Sequence, residues 1–354
     1  MIDKGKIRIG VIGLGRIGWE HCKQIHQHRE VVLTAVADRE ECRCQEAREL
    51  FGCRAYRDYT EMLAQADLAA VLIASPTHLH MEMALAAFAH KRHVFLEKPM
   101  AMTVAEAQAI IRASVKARRV LTVYQPARAA ATFQQLRKIL ATNVLGETYH
   151  VRRGDFSFAR RNDWQALRRF GGGMLNNYGA HALDELLALT GSDIKRVFCD
   201  LRRVASLGDA DDVVKVIYET RSGVLGEIDI SQAMVAKPYQ MEVYGTRGAA
   251  FLQGSNREGY RWLVRALSAR AFASKQLDAS LAAANRQYPS DNIKVREKVI
   301  PVNPRHKVDV YADFARAIRT GAEPFVKPRE TLAVMQTIKK CRAASGGIQA
   351  SLLR

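Results

Sequence analysis

The segment Ile7–Gly18, IRIGVIGLGRIG, constrains this chain more than any other, because a short apolar run passes straight into Gly13-x-Gly15-x-x-Gly18 and then a helix-compatible stretch from Trp19. Each glycine answers a steric demand: Gly13 the tight turn, Gly15 the close approach of backbone to a pyrophosphate, Gly18 the packing of helix on strand. The helix start, with Arg16 and Ile17 between the last two glycines, would present unpaired N–H groups and a partial positive charge to the phosphates. A second apolar run, Val31–Ala37, ends at Asp38, twenty residues past Gly18. A carboxylate there accepts both ribose hydroxyls of an adenosine and repels a 2′-phosphate, which predicts NAD. The guanidinium of Arg39 could stack on adenine or clamp that phosphate, so NADP stays open.

Beyond Asp38 the chain alternates helix and strand. Glu40–Phe51 is helical in composition and stops at Gly52, Arg54–Tyr56 is a short strand, Tyr59–Ala66 a short helix and Ala69–Ala74 a buried strand. Leu79–His90 follows, then His93–Leu96, a helix opened by the capping box Thr103-x-x-Glu106, and Val120–Tyr124. Six strands with five crossovers make a doubly wound parallel sheet, an α/β nucleotide-binding domain over residues 1–125. Gln125-Pro126 marks the boundary, since proline lacks the donor a continuing strand needs.

Residues 126–354 read differently. Tyr149–Phe156, Val197–Arg203, Val213–Glu219, Val224–Ser231, Gln240–Tyr244 and Ala249–Leu252 alternate like half-exposed strands, with hairpin turns at Arg221-Ser-Gly223 and Gly245-Thr-Arg-Gly248. This predicts a second α/β domain with a large open, mostly antiparallel sheet. Arg257–Pro304 is basic and irregular, and helix pattern returns around Asp309–Arg319 and Pro328–Ala344. An open sheet with one exposed face predicts a homodimer or homotetramer.

Composition closes off other classes. The 354 residues are 48% hydrophobic with mixed charge, which suits a soluble two-domain protein. No run approaches the roughly 20 apolar residues of a membrane span, and MIDKGKIRIG carries no signal-like apolar core, so the expected location is cytoplasmic. The six cysteines are irregularly spaced and read as reduced structural thiols, with no metal site expected. The formal net charge of +18 favours anionic ligands. The basic residues are scattered, however, as in Arg118-Arg119, Arg152-Arg153 and Arg202-Arg203. No basic helix or aromatic-interleaved motif points to nucleic acid.

Two constellations carry candidate chemistry. Glu97-Lys98-Pro99 ends the fifth strand, where open α/β sheets bind ligands; a lysine there can stabilise alkoxide character as a hydride leaves. Gly171-Gly-Gly-Met-Leu-Asn-Asn-Tyr-Gly-Ala-His-Ala-Leu-Asp184 is a glycine turn opening a helix. Helical spacing puts Asn177, His181 and Asp184 on one stripe and Leu183, Leu186 and Leu187 on the opposite side. Histidine suits proton transfer near neutral pH.

Together, GVIGLGRIG, Asp38, SPTHLHMEMALAAFAHKRHVFLEKPM and GGGMLNNYGAHALD resemble the glucose–fructose oxidoreductase/inositol dehydrogenase/rhizopine catabolism (Gfo/Idh/MocA) family. Arg161-Asn-Asp-Trp164, Gly208-Asp-Ala-Asp-Asp212, Gly245-Thr-Arg-Gly248 and Asp313-Phe-Ala-Arg-Ala-Ile318 extend the likeness over nearly the whole chain. The resemblance implies a tightly held NAD or NADP and hydride transfer at a carbon of a sugar, sugar acid or polyol. It implies Lys98 as catalytic lysine and His181 as general acid/base. It places further cofactor contacts at Ser75, Pro76, His80 and Glu97, and substrate contacts at Arg128, Arg161, Trp164 and Tyr178. The chain departs from the pattern at Asn177, where many members carry aspartate, and at Ala182, where an acid is common; an amide cannot stabilise an imidazolium by charge. Arg160-Arg161 and Arg168-Arg169, flanking the glycine turn, could bring an anionic sugar to the cleft mouth. The alternative to an enzyme is a non-catalytic nucleotide-sensing regulator that binds a protein or nucleic acid partner.

Overall fold

The computed structural model describes residues 5–268 and 293–350. Strands β1 (Ile7–Ile12), β2 (Val31–Ala37), β3 (Arg54–Tyr56), β4 (Ala70–Ile73), β5 (His93–Leu96) and β6 (Leu121–Val123) form a parallel sheet in the order β3-β2-β1-β4-β5-β6. Helices α1 (Arg16–His26), α2 (Glu41–Phe51), α3 (Tyr59–Gln65), α4 (His80–Ala89) and α5 (Val104–Ala117) are the crossovers. The period-two pattern of the strands feeds two cores: Val71 and Ile73 pack into one, Ala70 and Leu72 into the other. Strand order reverses between β1 and β4, which places the ligand crevice at their carboxyl ends. The capping box forms with a shift: Thr103 Oγ1 accepts the Glu106 N–H at 3.2 Å, while Glu106 Oε2 accepts from Met102 N rather than from the cap residue, at 3.0 Å.

The chain then builds α6 (Pro126–Ala129), α7 (Ala131–Ala141), β7 (Thr148–Phe156), α8 (Met174–Thr190), β8 (Ile194–Arg203), β9 (Val213–Thr220), β10 (Leu225–Ser231), β11 (Met241–Gly245) and β12 (Gly248–Ser255). After these come β13 (Gly259–Leu267), β14 (Val295–Pro301), α9 (Val310–Thr320), α10 (Pro328–Ser345) and β15 (Ile348–Ala350). Among the described residues the second sheet has nine strands, β14-β13-β12-β11-β7-β10-β9-β8-β15, antiparallel except for β7–β10 and β8–β15. Helices α8 and α10 cover one face.

Two strands, β13 and β14, lie in the basic stretch Arg257–Pro304 that showed no strand pattern, and residues 269–292 of that stretch, like 1–4 of the leader, fall outside the described residues. β14 has no buried residue, so it has no alternation to read. α9 returns to the first domain. Tyr311 and Phe314 pack their rings 5.6 and 5.4 Å from Phe95, beneath the parallel sheet.

Candidate functional site

At the end of β1, Gly13 has φ +90°, and a Cβ on it would lie 3.0 Å from the Ala74 and Ser75 backbone. One on Gly18 would sit 1.8 Å from the Gly13 carbonyl oxygen. Gly15 faces open space, and α1 starts at Arg16 with no side-chain cap and no acid in its first turn. Its orphan N–H groups therefore face a clear approach path. Asp38 stands over this loop: Oδ2 accepts the Leu14 N–H at 2.6 Å, Oδ1 accepts the Glu40 N–H at 3.0 Å, and Arg43 lies 3.4 Å away. Arg39 is exposed beside it. Along the same edge, Pro76 leads into a 3-10 turn, and the Ser75 and Thr77 hydroxyls and Gln125 Nε2 are buried without a partner among the described residues. Buried polar atoms are seldom left unpaired. The open glycine loop, the uncapped helix and these atoms fit a dinucleotide along the switch point.

Glu97-Lys98-Pro99 follows β5, with a cis Lys98–Pro99 peptide. Two of the expected cofactor contacts have protein partners there. Glu97 turns away from the crevice: Oε1 bonds His21 Nε2 at 2.8 Å and Oε2 accepts the Lys98 N–H at 3.0 Å. His80 is buried, its ring bridging the Ser75 and Pro99 carbonyl oxygens at 3.0 and 2.9 Å, so it clamps the turn. Lys98 points the other way. Its Nζ donates to Asn177 Oδ1 at 2.6 Å and to the Asn177 carbonyl at 3.3 Å, while Asn177 Nδ2 donates to Gln165 at 2.9 Å. Burial lowers the lysine pKa to about 8; Glu97 opposes the shift, and Arg161 and Arg16 add to it.

His181, one turn after Asn177, lines a cavity of about 180 Å³ with Tyr178, Arg153, Asp155 and the start of α6. Its Nδ1 lies 3.3 Å from Gln125 Oε1. Burial, then the charges of Lys98 and Arg153, hold its pKa well below the ordinary value. The amide of Asn177 thus serves the lysine rather than the imidazole. Asp184, on the same stripe, is fully buried and leaves the cavity to its neighbours. It accepts from Arg128 Nε at 2.7 Å, and Arg128 also pairs with Glu330. Arg128 is therefore a buried cation engaged by two carboxylates, and it does not line the His181 cavity.

Arg161 is paired with Asp163 but close enough to Lys98 to influence it; Trp164 lies in the adjoining 3-10 turn and lines neither cavity. Arg168-Arg169 also fall elsewhere, on a second cavity behind the glycine turn. Sequence reading missed Gln125, Arg153, Asp155 and Gln165. The available signal was on β7, where Val151, Arg153 and Asp155 alternate onto the face covered by α8, and charge on such a face needs a reason. Among the described residues no group of three or more His, Cys, Asp or Glu could hold a metal ion, and the six cysteines are free thiols. No helix among them is long and apolar enough to cross a membrane.

The N-terminal model of an oxidoreductase family with an NAD-binding Rossmann fold, GFO_IDH_MocA, matches residues 7–125, and a C-terminal domain model of the same family matches 133–251. Myo-inositol 2-dehydrogenase from Thermotoga maritima is 31% identical over 69% of this chain and 75% of its own length. An NAD-binding protein from Listeria innocua superposes with TM-score 0.81 at 23% identity, covering 96% of this chain and 95% of that one. The WlbA dehydrogenase from Bordetella pertussis, in complex with NADH and UDP-GlcNAcA, gives TM-score 0.76 at 24% identity, covering 96% and 97%. With its glycine loop, its Glu97-Lys98-Pro99 turn and both domain models in register, the chain belongs to the GFO/IDH/MocA oxidoreductase family and carries that family's NAD-binding Rossmann domain.

Proposed function

We propose that this protein is an NAD-dependent dehydrogenase that oxidises a hydroxyl-bearing carbon of an uncharged sugar or polyol. The observation that carries the reading is the meeting of Lys98, from the nucleotide domain, with Asn177 and His181 on α8, beside a cavity at the crevice. Bound along Gly13–Gly18, Asp38 and Ser75, NAD would supply the acceptor for a hydride. The chain's own residues handle the proton. His181 is neutral at physiological pH and can take the hydroxyl proton on Nε2 if Nδ1–H faces Gln125. Lys98, still largely protonated near pH 7, donates to the oxygen on which charge develops. Asn177 and Gln165 hold the ammonium in place.

The preference for an uncharged substrate rests on where the arginines go. Arg161 is paired with Asp163, Arg153 with Glu185, and Arg168-Arg169 face another cavity, while Asp155 brings a carboxylate to the cavity wall. The likeness to a myo-inositol 2-dehydrogenase agrees with this. Asp38 beside the loop amides supports NAD over NADP. A homodimer or homotetramer belongs to the same reading, supported by Phe198, Ile217 and Leu225, which are exposed on adjacent strands of the second sheet.

The test is turnover with a panel of inositols, neutral sugars, sugar acids and sugar phosphates. We expect NADH absorbance to grow with at least one neutral member. Binding of NAD with no absorbance change on any member would sink the reading in favour of a nucleotide-sensing regulator.

A further inference from the structure

Behind the glycine turn, on the side away from His181, lies a cavity of about 450 Å³. Arg168 and Arg169 reach it from the 3-10 turn before Gly171, and Arg342 from the last turn of α10. None of these three guanidiniums has a carboxylate partner among the described residues. Two acids, Asp209 and Asp211, line the same cavity but serve the backbone: Asp209 Oδ1 accepts the Arg168 N–H at 2.9 Å, and Asp211 Oδ2 accepts the Leu175 N–H at 2.8 Å, capping α8. Burial lowers the Arg342 pKa; the charge of Asp211 opposes the shift and that of Arg168 adds to it. Arg169 lies over the Phe170 ring at 4.7 Å, and Arg342 donates to Asn176 Oδ1 at 2.7 Å. Asn176 Nδ2 in turn donates to the Gly171 and Gly172 carbonyls at 2.9 and 3.3 Å. Arg169 and Arg342 are thus held in orientation by a ring and an amide, with no carboxylate among the described residues in direct ion-pair contact.

We propose that this cavity is a second ligand site, distinct from the dinucleotide crevice and the His181 cavity, and that it takes a small phosphate-bearing anion. Converging guanidinium forks match the several acceptor oxygens of a phosphate, and charge-assisted bonds of this kind are about twice as strong as neutral ones. Arg342 and Asn176 tie the site to the glycine turn, one residue before Asn177.

The experiment is calorimetric titration of the NAD-saturated protein with inorganic phosphate at constant ionic strength. Saturable binding is expected, weakened roughly tenfold or more by Arg168→Gln with Arg342→Gln and unchanged by Arg112→Gln, which removes an exposed charge from α5. No saturable binding, or equal affinity in the double variant, overturns the proposal. Glycerol phosphate binding more tightly than inorganic phosphate would mark an organic phosphate as the ligand, and equal binding free phosphate. Citrate binding more tightly than both would overturn the phosphate assignment. A tungstate soak of wild-type crystals needs no variant: an anomalous peak among the three arginines supports the site, and peaks only elsewhere refute it.

Discussion

Glu97 and Lys98 are consecutive residues that face opposite regions, and the two regions treat buried polar groups in opposite ways. Below the sheet edge, Glu97 meets His21, whose other ring nitrogen lies 2.5 Å from the Tyr311 hydroxyl, and the rings of Phe95 and Tyr124 close around them. Acid, imidazole and phenol satisfy one another. Above the edge, among the described residues, Lys98 has only amide hydrogen-bond partners, His181 has only a long contact to Gln125, and three buried polar atoms nearby have none. Burial with matched partners makes a clamp; burial without them disfavours the charged form, which brings Lys98 to about 8, keeps His181 neutral and leaves capacity for a ligand.

The hardest test of this contrast is His181→Ala. General acid–base groups contribute about 10²–10⁴-fold, so kcat should fall by that factor while NAD affinity in a fluorescence titration stays within about twofold. Lys98→Met should damage both, because Lys98 lies at the nucleotide edge. An alanine variant with near-normal kcat would erase the distinction between the regions. Below the edge, His21→Leu leaves Glu97 Oε1 buried without its partner, and should cost about 3 kcal/mol in urea unfolding with activity per folded molecule largely kept. Arg128→Met, stranding Asp184, should behave the same way. Lost activity at unchanged stability in either variant would move that residue from clamp to site.

The sequence resolved one region far better than the other. All six parallel strands and the glycine loop were legible, and Asp38, Lys98 and His181 could be named as candidates, because each rests on local signals: strand followed by glycine, spacing to an acid, one stripe of a helix. The clamp was not. His21 and Tyr311 are 290 residues apart, and only the return of α9 to the first core brings them together. Arg128 and His80 were read as contacts from the family resemblance, which does not show whether a side chain's partners are protein or substrate. Asp184, 56 residues from Arg128, decides the first case, and two backbone carbonyls decide the second. β13 was hidden by its basic flanks, although Trp262 within it is fully buried and donates to the Thr132 carbonyl at 3.0 Å.

Two smaller effects sharpen the picture of the upper region. Asp38→Ala removes the acceptor proposed for the adenosine ribose and should weaken NAD roughly 10–100-fold while relaxing the preference toward NADP; tighter NADPH than NADH binding by the wild type would refute the assignment. The pH profile of kcat/KM should be bell-shaped. It rises as His181 loses its proton well below pH 6.5 and falls as Lys98 loses its own at about 8. In Asn177→Asp a carboxylate replaces the amide 2.6 Å from Nζ, favours the ammonium and should move the falling limb up by about one unit. An unmoved limb would mean that residue 177 does not touch the lysine in solution.

The smallest effect expected is that of salt, and it separates net charge from charge at the site. A chain of formal charge +18 would steer any anion at low ionic strength, since the screening length falls from about 30 Å at 0.01 M to about 8 Å at 0.15 M. At the His181 cavity, however, Arg153 is paired with Glu185 and Asp155 lines the wall, while Arg161 is held by Asp163. For a neutral polyol, kcat/KM measured across that range at saturating NAD should therefore change by less than about twofold. A sugar acid or sugar phosphate drawn in by the field would react severalfold more slowly at the higher salt. If the best substrate shows that steep decline, the arginines near the crevice are less neutralised than their partners indicate, and the upper region selects by charge as well as by position.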